Sequence, residues 1–181
     1  MPATTGPARG PSDAFAAGCR SLGLRLMRDL GLTDLQAAGL LGNLGHESGG
    51  FLRLQEVAPV VAGSRGGWGL AQWTGPRRVS MEAWCRAHGL DPASLEVQYR
   101  YLCVELRTTE AVALTALRQA PTLEAATETV CRLFERPGVI ALASRLDWAR
   151  RALAALRDGA PPPSESRAGR VRRARNTGDR S

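Results

Sequence analysis

Gly42-Asn43-Leu44-Gly45-His46-Glu47-Ser48-Gly49-Gly50-Phe51 is the stretch on which the reading of this chain turns. It reads as the last turns of a helix ending on a carboxylate, with two glycines to stop the helix and an aromatic residue leading the chain away. A Glu in a helix's last turn faces the negative end of the macrodipole, a poor place for an anion. Partial burial there would raise its pKa and keep the acid protonated near neutral pH, the state a general acid needs to protonate a glycosidic oxygen. A Glu frayed into solvent at a helix end has the same local sequence, so the stretch alone leaves both readings open.

Working upstream, Thr33 and Gln36 have the spacing of a capping box and predict a helix from Asp34 towards Glu47. Inside it Gly39, Gly42 and Gly45 recur every three residues. Each glycine costs about 1 kcal/mol of helix stability, so close approach of another helix or of a ligand to that face is the expected compensation. Before it, Ser12 is placed to cap a helix to Leu30, with Phe15, Cys19, Leu22, Leu26 and Leu30 on one apolar stripe. Downstream, 51–67 carries Pro59 among valines and a Gly/Ser turn, and predicts a short, irregular β-hairpin. Trp68-Gly69-Leu70-Ala71-Gln72-Trp73-Thr74 then places two indoles and an amide close together. Aromatic faces stack on sugar rings and amides bond hydroxyl and acetamido groups, which suits a carbohydrate groove; packing of both indoles in the core is the alternative.

The remainder reads as helical scaffold. Helices are expected over 76–87, from a cap at Asp91 with Pro92 first and a stripe of Leu95, Tyr99, Leu102 and Leu106, over 109–119, over 122–135, and over 139–157 with Leu142, Leu146, Ala149, Leu153 and Leu156 inward. The expected organisation is a disordered 1–11, one domain over 12–157 and a disordered Arg-rich tail over 158–181. The fold class is mainly α (α+β).

Composition bounds the function. A chain of 181 residues with 44% hydrophobic residues supports one globular core. No apolar run of about 18 residues is present, so no transmembrane segment is expected, and residues 1–11 do not read as a secretory signal. All 24 basic residues are Arg, and the formal charge is +7. The tail from Arg157 onward holds seven arginines against three acids. A basic surface suits an anionic polymer, either nucleic acid or an acidic wall glycan. Nucleic acid is the weaker fit, because no aromatic residue interleaves with the arginines of 167–175 to stack bases. Cys19, Cys85, Cys103 and Cys131 stand apart in apolar helical runs and read as buried free thiols. With no C-x-x-C and two His, a zinc site is not indicated, and Gly50 stands where a zinc protease would need its second His after His46-Glu47.

His46-Glu47-Ser48-Gly49-Gly50-Phe51, followed by Gly67-Trp68-Gly69-Leu70-Ala71-Gln72-Trp73-Thr74-Gly75-Pro76-Arg77-Arg78, resembles the phage tail lysozyme family, within the larger lysozyme-like superfamily. The likeness continues through Phe134-Glu135-Arg136-Pro137-Gly138 and Ser144 to Trp148. It implies a lysozyme-like helical domain that cleaves bacterial peptidoglycan at the β-1,4 bond between N-acetylmuramic acid and N-acetylglucosamine, with Glu47 as the catalytic acid. Gln72, Trp73 and the backbone of 69–71 would line the glycan groove, with Gly69, Leu70, Trp68, Thr74, His46 and Ser48 as its other candidate contacts. No cofactor is implied, since acid catalysis on a glycoside needs none.

A glycosidase usually pairs two carboxylates, and Glu56 is the only acid between Phe51 and Thr74. It is the candidate to position or activate water; a solvated strand residue is the alternative. Without such a partner the substrate's own groups must assist, as in a lytic transglycosylase. Glu135 is read as a structural ion pair, and His46 as a groove wall or packing residue. The expected setting is a phage particle, possible tail proteins included as partners, or the host cytoplasm before release. The competing class is an inactive module that holds glycan or a tail partner.

Overall fold

Thr33 opens the central helix. Its hydroxyl accepts the Gln36 N–H at 3.3 Å while the Gln36 side chain accepts the Thr33 N–H at 3.0 Å, the capping box expected from the sequence. Helix α2, Asp34–Ser48, is buried without a break from Gln36 to Gly45, as befits a helix apolar nearly all round. Helices α1 (Pro11–Leu30), α6 (Leu123–Val130) and α7 (Leu142–Asp158) pack around it, while α3 (Gly75–His88), α4 (Leu95–Arg107) and α5 (Ala111–Gln119) extend the same core.

The computed structural model describes residues 11–53, 55–56 and 64–158; of the loose ends expected at 1–11 and 158–181, all but Pro11 and Asp158 lie outside the described residues, and those two are the end residues of α1 and α7. The described chain is seven α-helices and one π turn, Cys131–Glu135, a mainly α, lysozyme-like helical fold. Among the described residues, strand pairing is confined to two isolated antiparallel bridges, Gln55–Trp68 and Trp68–Trp73. Of the expected hairpin, 54 and 57–63 lie outside the described residues, and the antiparallel Gln55–Trp68 bridge is the strand pairing that its described part makes.

The glycine row of α2 lets neighbouring helices touch its backbone. A Cβ at Gly39 would stand 2.7 Å from Ala126 Cβ, one at Gly42 2.5–2.6 Å from Ala149, and one at Gly45 2.7 Å from the Phe15 ring. The compensation is thus contact with α6, α7 and α1, whose packing replaces the lost helix propensity. Asn43, fully buried, ties three helices together: its amide donates to Gly39 O at 2.9 Å and Thr127 O at 3.0 Å, and its oxygen accepts from Arg145 at 3.0 Å.

Several boundaries differ from expectation. Helix α1 starts at Pro11, one residue before the expected cap Ser12. Asp91 closes a turn, its carboxylate accepting the Ala93 N–H at 2.9 Å, and α4 begins later, at Leu95; a short Asp side chain bonds its own backbone two residues on more readily than it caps a distant turn. Leu95 itself is exposed. The helix expected over 122–135 ends as α6 at Val130 and passes into the π turn, and Arg136 then takes a left-handed φ of 49°. Helix α7 starts at Leu142, leaving Val139 and Ile140 exposed. All four cysteines are buried free thiols, and among the described residues no helix is long and apolar enough to cross a membrane.

Candidate active site

The end of α2 is held from both sides. Ser48 Oγ donates back to Leu44 O at 2.6 Å and accepts the Phe51 N–H at 2.9 Å, and Gly49 takes the left-handed conformation that closes the helix. Phe51, also at positive φ (68°), puts its ring 4.8 Å from Phe15, which meets Trp148 edge-on at 4.6 Å. This aromatic cluster offsets the strain of a non-glycine left-handed residue, roughly 1–2 kcal/mol. Glu47, the residue before Ser48 in the last turn, keeps 24% of its side chain exposed and accepts from Arg145 Nη2 at 2.5 Å. Arg145 is 1% exposed, so this is a charge-assisted bond largely removed from water. Its Nη1 reaches Asn43, while its Nε is buried without a hydrogen-bond partner among the described residues.

Glu47 opens into a cleft of about 410 Å³ whose other walls include Glu56, Gly67, Gln72, Thr74, Arg77 and Glu135, a size usual for small-molecule sites. Glu56 is fixed rather than frayed. Its N–H donates to Gly67 O at 2.9 Å, and its carboxylate accepts the Gly67 N–H at 2.8 Å. Arg78 steadies that wall from beneath, donating to Arg65 O and Gly66 O at 2.8 and 3.0 Å. The next loop is cinched by reciprocal bonds between Trp68 and Trp73, both 2.9 Å, and pinned to α4 by the Leu70 N–H donating to Gln98 Oε1 at 2.9 Å. Gln72 stands at its corner with φ 45°, its amide donating to Gly69 O at 2.7 Å.

On the far wall the π turn presents Glu135. The residue is half-buried, but its Oε1 is closed off from solvent and has no hydrogen-bond partner among the described residues. Among the described residues it makes no salt bridge, which corrects the structural ion pair expected for it. Burial, aided by the negative charge of Glu47, pushes its carboxyl up to about 8 against the pull of Arg77 and Arg145. The neighbouring guanidiniums are engaged elsewhere: Arg77 pairs with buried Glu105 at 2.8 Å and Arg136 with Glu110 at 2.8 Å.

A family model described as Phage tail lysozyme matches residues 24–156. The chain belongs to the phage tail lysozyme family. Membership points to peptidoglycan lysis in general, to a lysozyme-like enzyme, and to a phage-associated protein acting on the cell wall. No curated protein matches the chain.

The structure gathers four of the candidates, Glu47, Glu56, Gln72 and Thr74, around one cleft. The other six are not among its lining residues. Trp73 is fully buried, its Nε1 donating to Glu105 at 2.7 Å and its ring edge-on to Tyr101; its place is the core, and no sugar can stack on it there. Trp68 is half-buried against Arg78, with its Nε1 reaching Pro92 O at 3.4 Å. Ser48 is the helix stop just described, and Gly69 and Leu70 are buried in the pinned loop. His46 meets Ser144 at 3.0 Å, and burial followed by the charge of Arg145 lowers its pKa, with Glu47 opposing.

Arg145 and Glu135 complete the site. Arg145 carried a signal in the sequence: with Ala149, Ala152 and Leu156 it follows the 4-3-4 spacing of a buried stripe, and a charge in such a row needs a partner inside.

Proposed function

We propose that this chain cleaves the glycan strand of bacterial peptidoglycan at the β-1,4 bond between N-acetylmuramic acid and N-acetylglucosamine, with Glu47 as general acid and Glu56 as the carboxylate that activates water. The observation that carries this reading is that Glu47 and Glu56, from separate segments, line one cleft together with an amide and a hydroxyl, Gln72 and Thr74, in a chain of the phage tail lysozyme family. Glu47 protonates the leaving glycosidic oxygen as the C–O bond breaks. Glu56, held by the Gly67 N–H, takes the proton of the water that attacks the sugar carbon. Gln72 and Thr74 bond hydroxyl and acetamido groups of the strand. A phage particle carries the protein to the wall, alongside tail proteins, and the Arg-rich tail over 158–181 holds it on that anionic surface.

The test is turbidity clearance and zymography on purified cell walls, with mass spectrometry of the released muropeptides. Wild type is expected to clear and to leave reducing ends; Glu47→Gln should be inactive, and Glu56→Gln at least tenfold slower. Clearance by Glu47→Gln at the wild-type rate would sink the role of Glu47. Anhydro ends would replace the water-activating role of Glu56 by lytic transglycosylation. No clearance by wild type would leave a glycan-binding module.

A further inference from the structure

Two buried polar side-chain atoms among the described residues have no hydrogen-bond partner, Glu135 Oε1 and Arg145 Nε. One is an acceptor and the other a donor, and both residues neighbour Glu47: Arg145 grips it through Nη2, Glu135 shares its cleft, and the charges of both Glu47 and Arg145 act on Glu135. An ionised carboxylate with a shielded, unpartnered oxygen is far costlier than a neutral acid in that place, so in the resting protein the proton belongs on Glu135 and the ion pair on Glu47.

We propose that Glu135 stores the proton that Glu47 delivers, and that Arg145 exchanges partners as the proton moves. This rests on the reading of Glu47 as general acid. The Glu135 carboxyl gives its proton to the Glu47 carboxylate. Arg145 loses its anion there, and its free Nε–H takes the newly ionised Glu135. Glu47 then passes the proton to the glycosidic oxygen as the C–O bond breaks and returns to its pair with Arg145. Glu56 passes the proton of the attacking water to solvent, from which Glu135 is reloaded. The count closes with one proton on the Glu47–Glu135 pair at the start and at the end of each turnover.

The groups facing Glu135 agree with this assignment. Glu47 on α2 and Glu105 on α4 disfavour its ionised form, while Arg77 on α3 and Arg145 on α7 favour it. The Arg77 charge is balanced by its two contacts with Glu105 at 2.8 and 3.0 Å, and Arg136 is balanced by Glu110 at the N-cap of α5. Arg145 is therefore the cation able to change hands. Glu135 acts through Glu47 and is a positioning residue for its proton.

The test is the pH profile of wall clearance for wild type, Glu135→Gln and Glu47→Gln, with a ¹³C carboxyl titration of Glu-labelled full-length protein as a readout that needs no activity. Glutamine mimics the neutral acid in shape but has no proton to give. Glu135→Gln should keep clearance within about threefold of wild type at pH 5 and lose at least tenfold by pH 7.5, its alkaline limb moved to lower pH by one unit or more. The titration should show one Glu midpoint above pH 7 in wild type that is missing from Glu135→Gln. An unchanged profile shape, whatever the absolute rate, or no Glu titrating above pH 6, overturns the proposal. If Glu47→Gln is dead while Glu135→Gln keeps the wild-type profile, the proton store falls and the role of Glu47 stands. If wild type clears nothing, the proposed function falls, and the titration still decides where the proton sits.

Discussion

Replacing Gly42 by alanine should damage fold and site together. The new Cβ would stand 2.5–2.6 Å from Ala149 Cβ, Cα and N, whereas ordinary contact begins at 3.4 Å. Backbone atoms cannot swing aside like the end of a flexible side chain, so α2 and α7 must part by about 0.8 Å at their crossing. Overpacking of this kind costs about 1–3 kcal/mol, and a crossing of two backbones belongs at the upper end. Alanine returns about 1 kcal/mol of helix propensity, leaving a net loss of about 2 kcal/mol. For a domain of this length that lowers Tm by roughly 4–8 °C. The same separation stretches the Arg145–Glu47 contact, since Arg145 lies one turn before Ala149 and Glu47 little more than one turn after Gly42. Thermal and urea unfolding by circular dichroism measure the first effect, and wall clearance at a temperature where the variant is folded measures the second. Gly138→Ala, where an added Cβ meets nothing within 4 Å, is the control and should unfold as wild type does. A Gly42→Ala protein as stable as wild type would refute the close-contact explanation of the glycine row.

Three further outcomes are expected. Arg145→Ala should cost about 3 kcal/mol, because removing one partner of a buried pair strands the other, and should slow wall clearance at least tenfold; Arg145→Lys should recover part of both, as read by urea unfolding and turbidity. Trp73→Phe removes the 2.7 Å bond to Glu105 and should cost about 1–2 kcal/mol while leaving clearance within twofold of wild type; a folded variant with collapsed activity would show that the indole meets substrate after all. The raised carboxyl of Glu135 also sets a pH dependence of stability. Unfolded protein releases that proton near 4.5 and folded protein near about 8, so the folded state binds the extra proton between those values. Wild type should therefore lose stability relative to Glu135→Gln as pH rises from 4.5 to 8 in urea titrations, with the difference constant below that window.

Much of the scaffold was legible because it obeys local rules. The capping box at Thr33–Gln36, the αL stop at Gly49 and the apolar stripe of α1 are each set by neighbours a few residues apart. The glycine row signalled close approach, but the partners Ala126, Ala149 and Phe15 come from distant parts of the chain. Local pattern misplaced the starts of α4 and α7, where Asp91 and Arg136 bend the backbone for reasons of their own. The site divides along the same line. Glu47 stood out from its place at a helix end, whereas Trp73 and Gln72 are one residue apart with one in the core and the other at the cleft. That split depends on the reciprocal Trp68–Trp73 bonds and on Glu105 waiting beneath the indole. Glu135 was read as an ion pair, but its neighbour Arg136 turns to Glu110 and Arg77 to Glu105.

The ion pairs beneath and around the cleft also decide what it turns away. Arg77 is matched by Glu105, Arg136 by Glu110 and Arg145 by Glu47. A phosphate-rich polymer entering this space would have to break a formed pair to gain a guanidinium, while meeting the carboxylates of Glu47 and Glu56 on the way. An uncharged acetamido sugar meets no such toll and finds the amide of Gln72 and the hydroxyl of Thr74 at the rim. The arginines at this cleft are thereby neutralised by partners, so a strongly basic chain sets no unpaired guanidinium of Arg77, Arg136 or Arg145 against an entering polyanion.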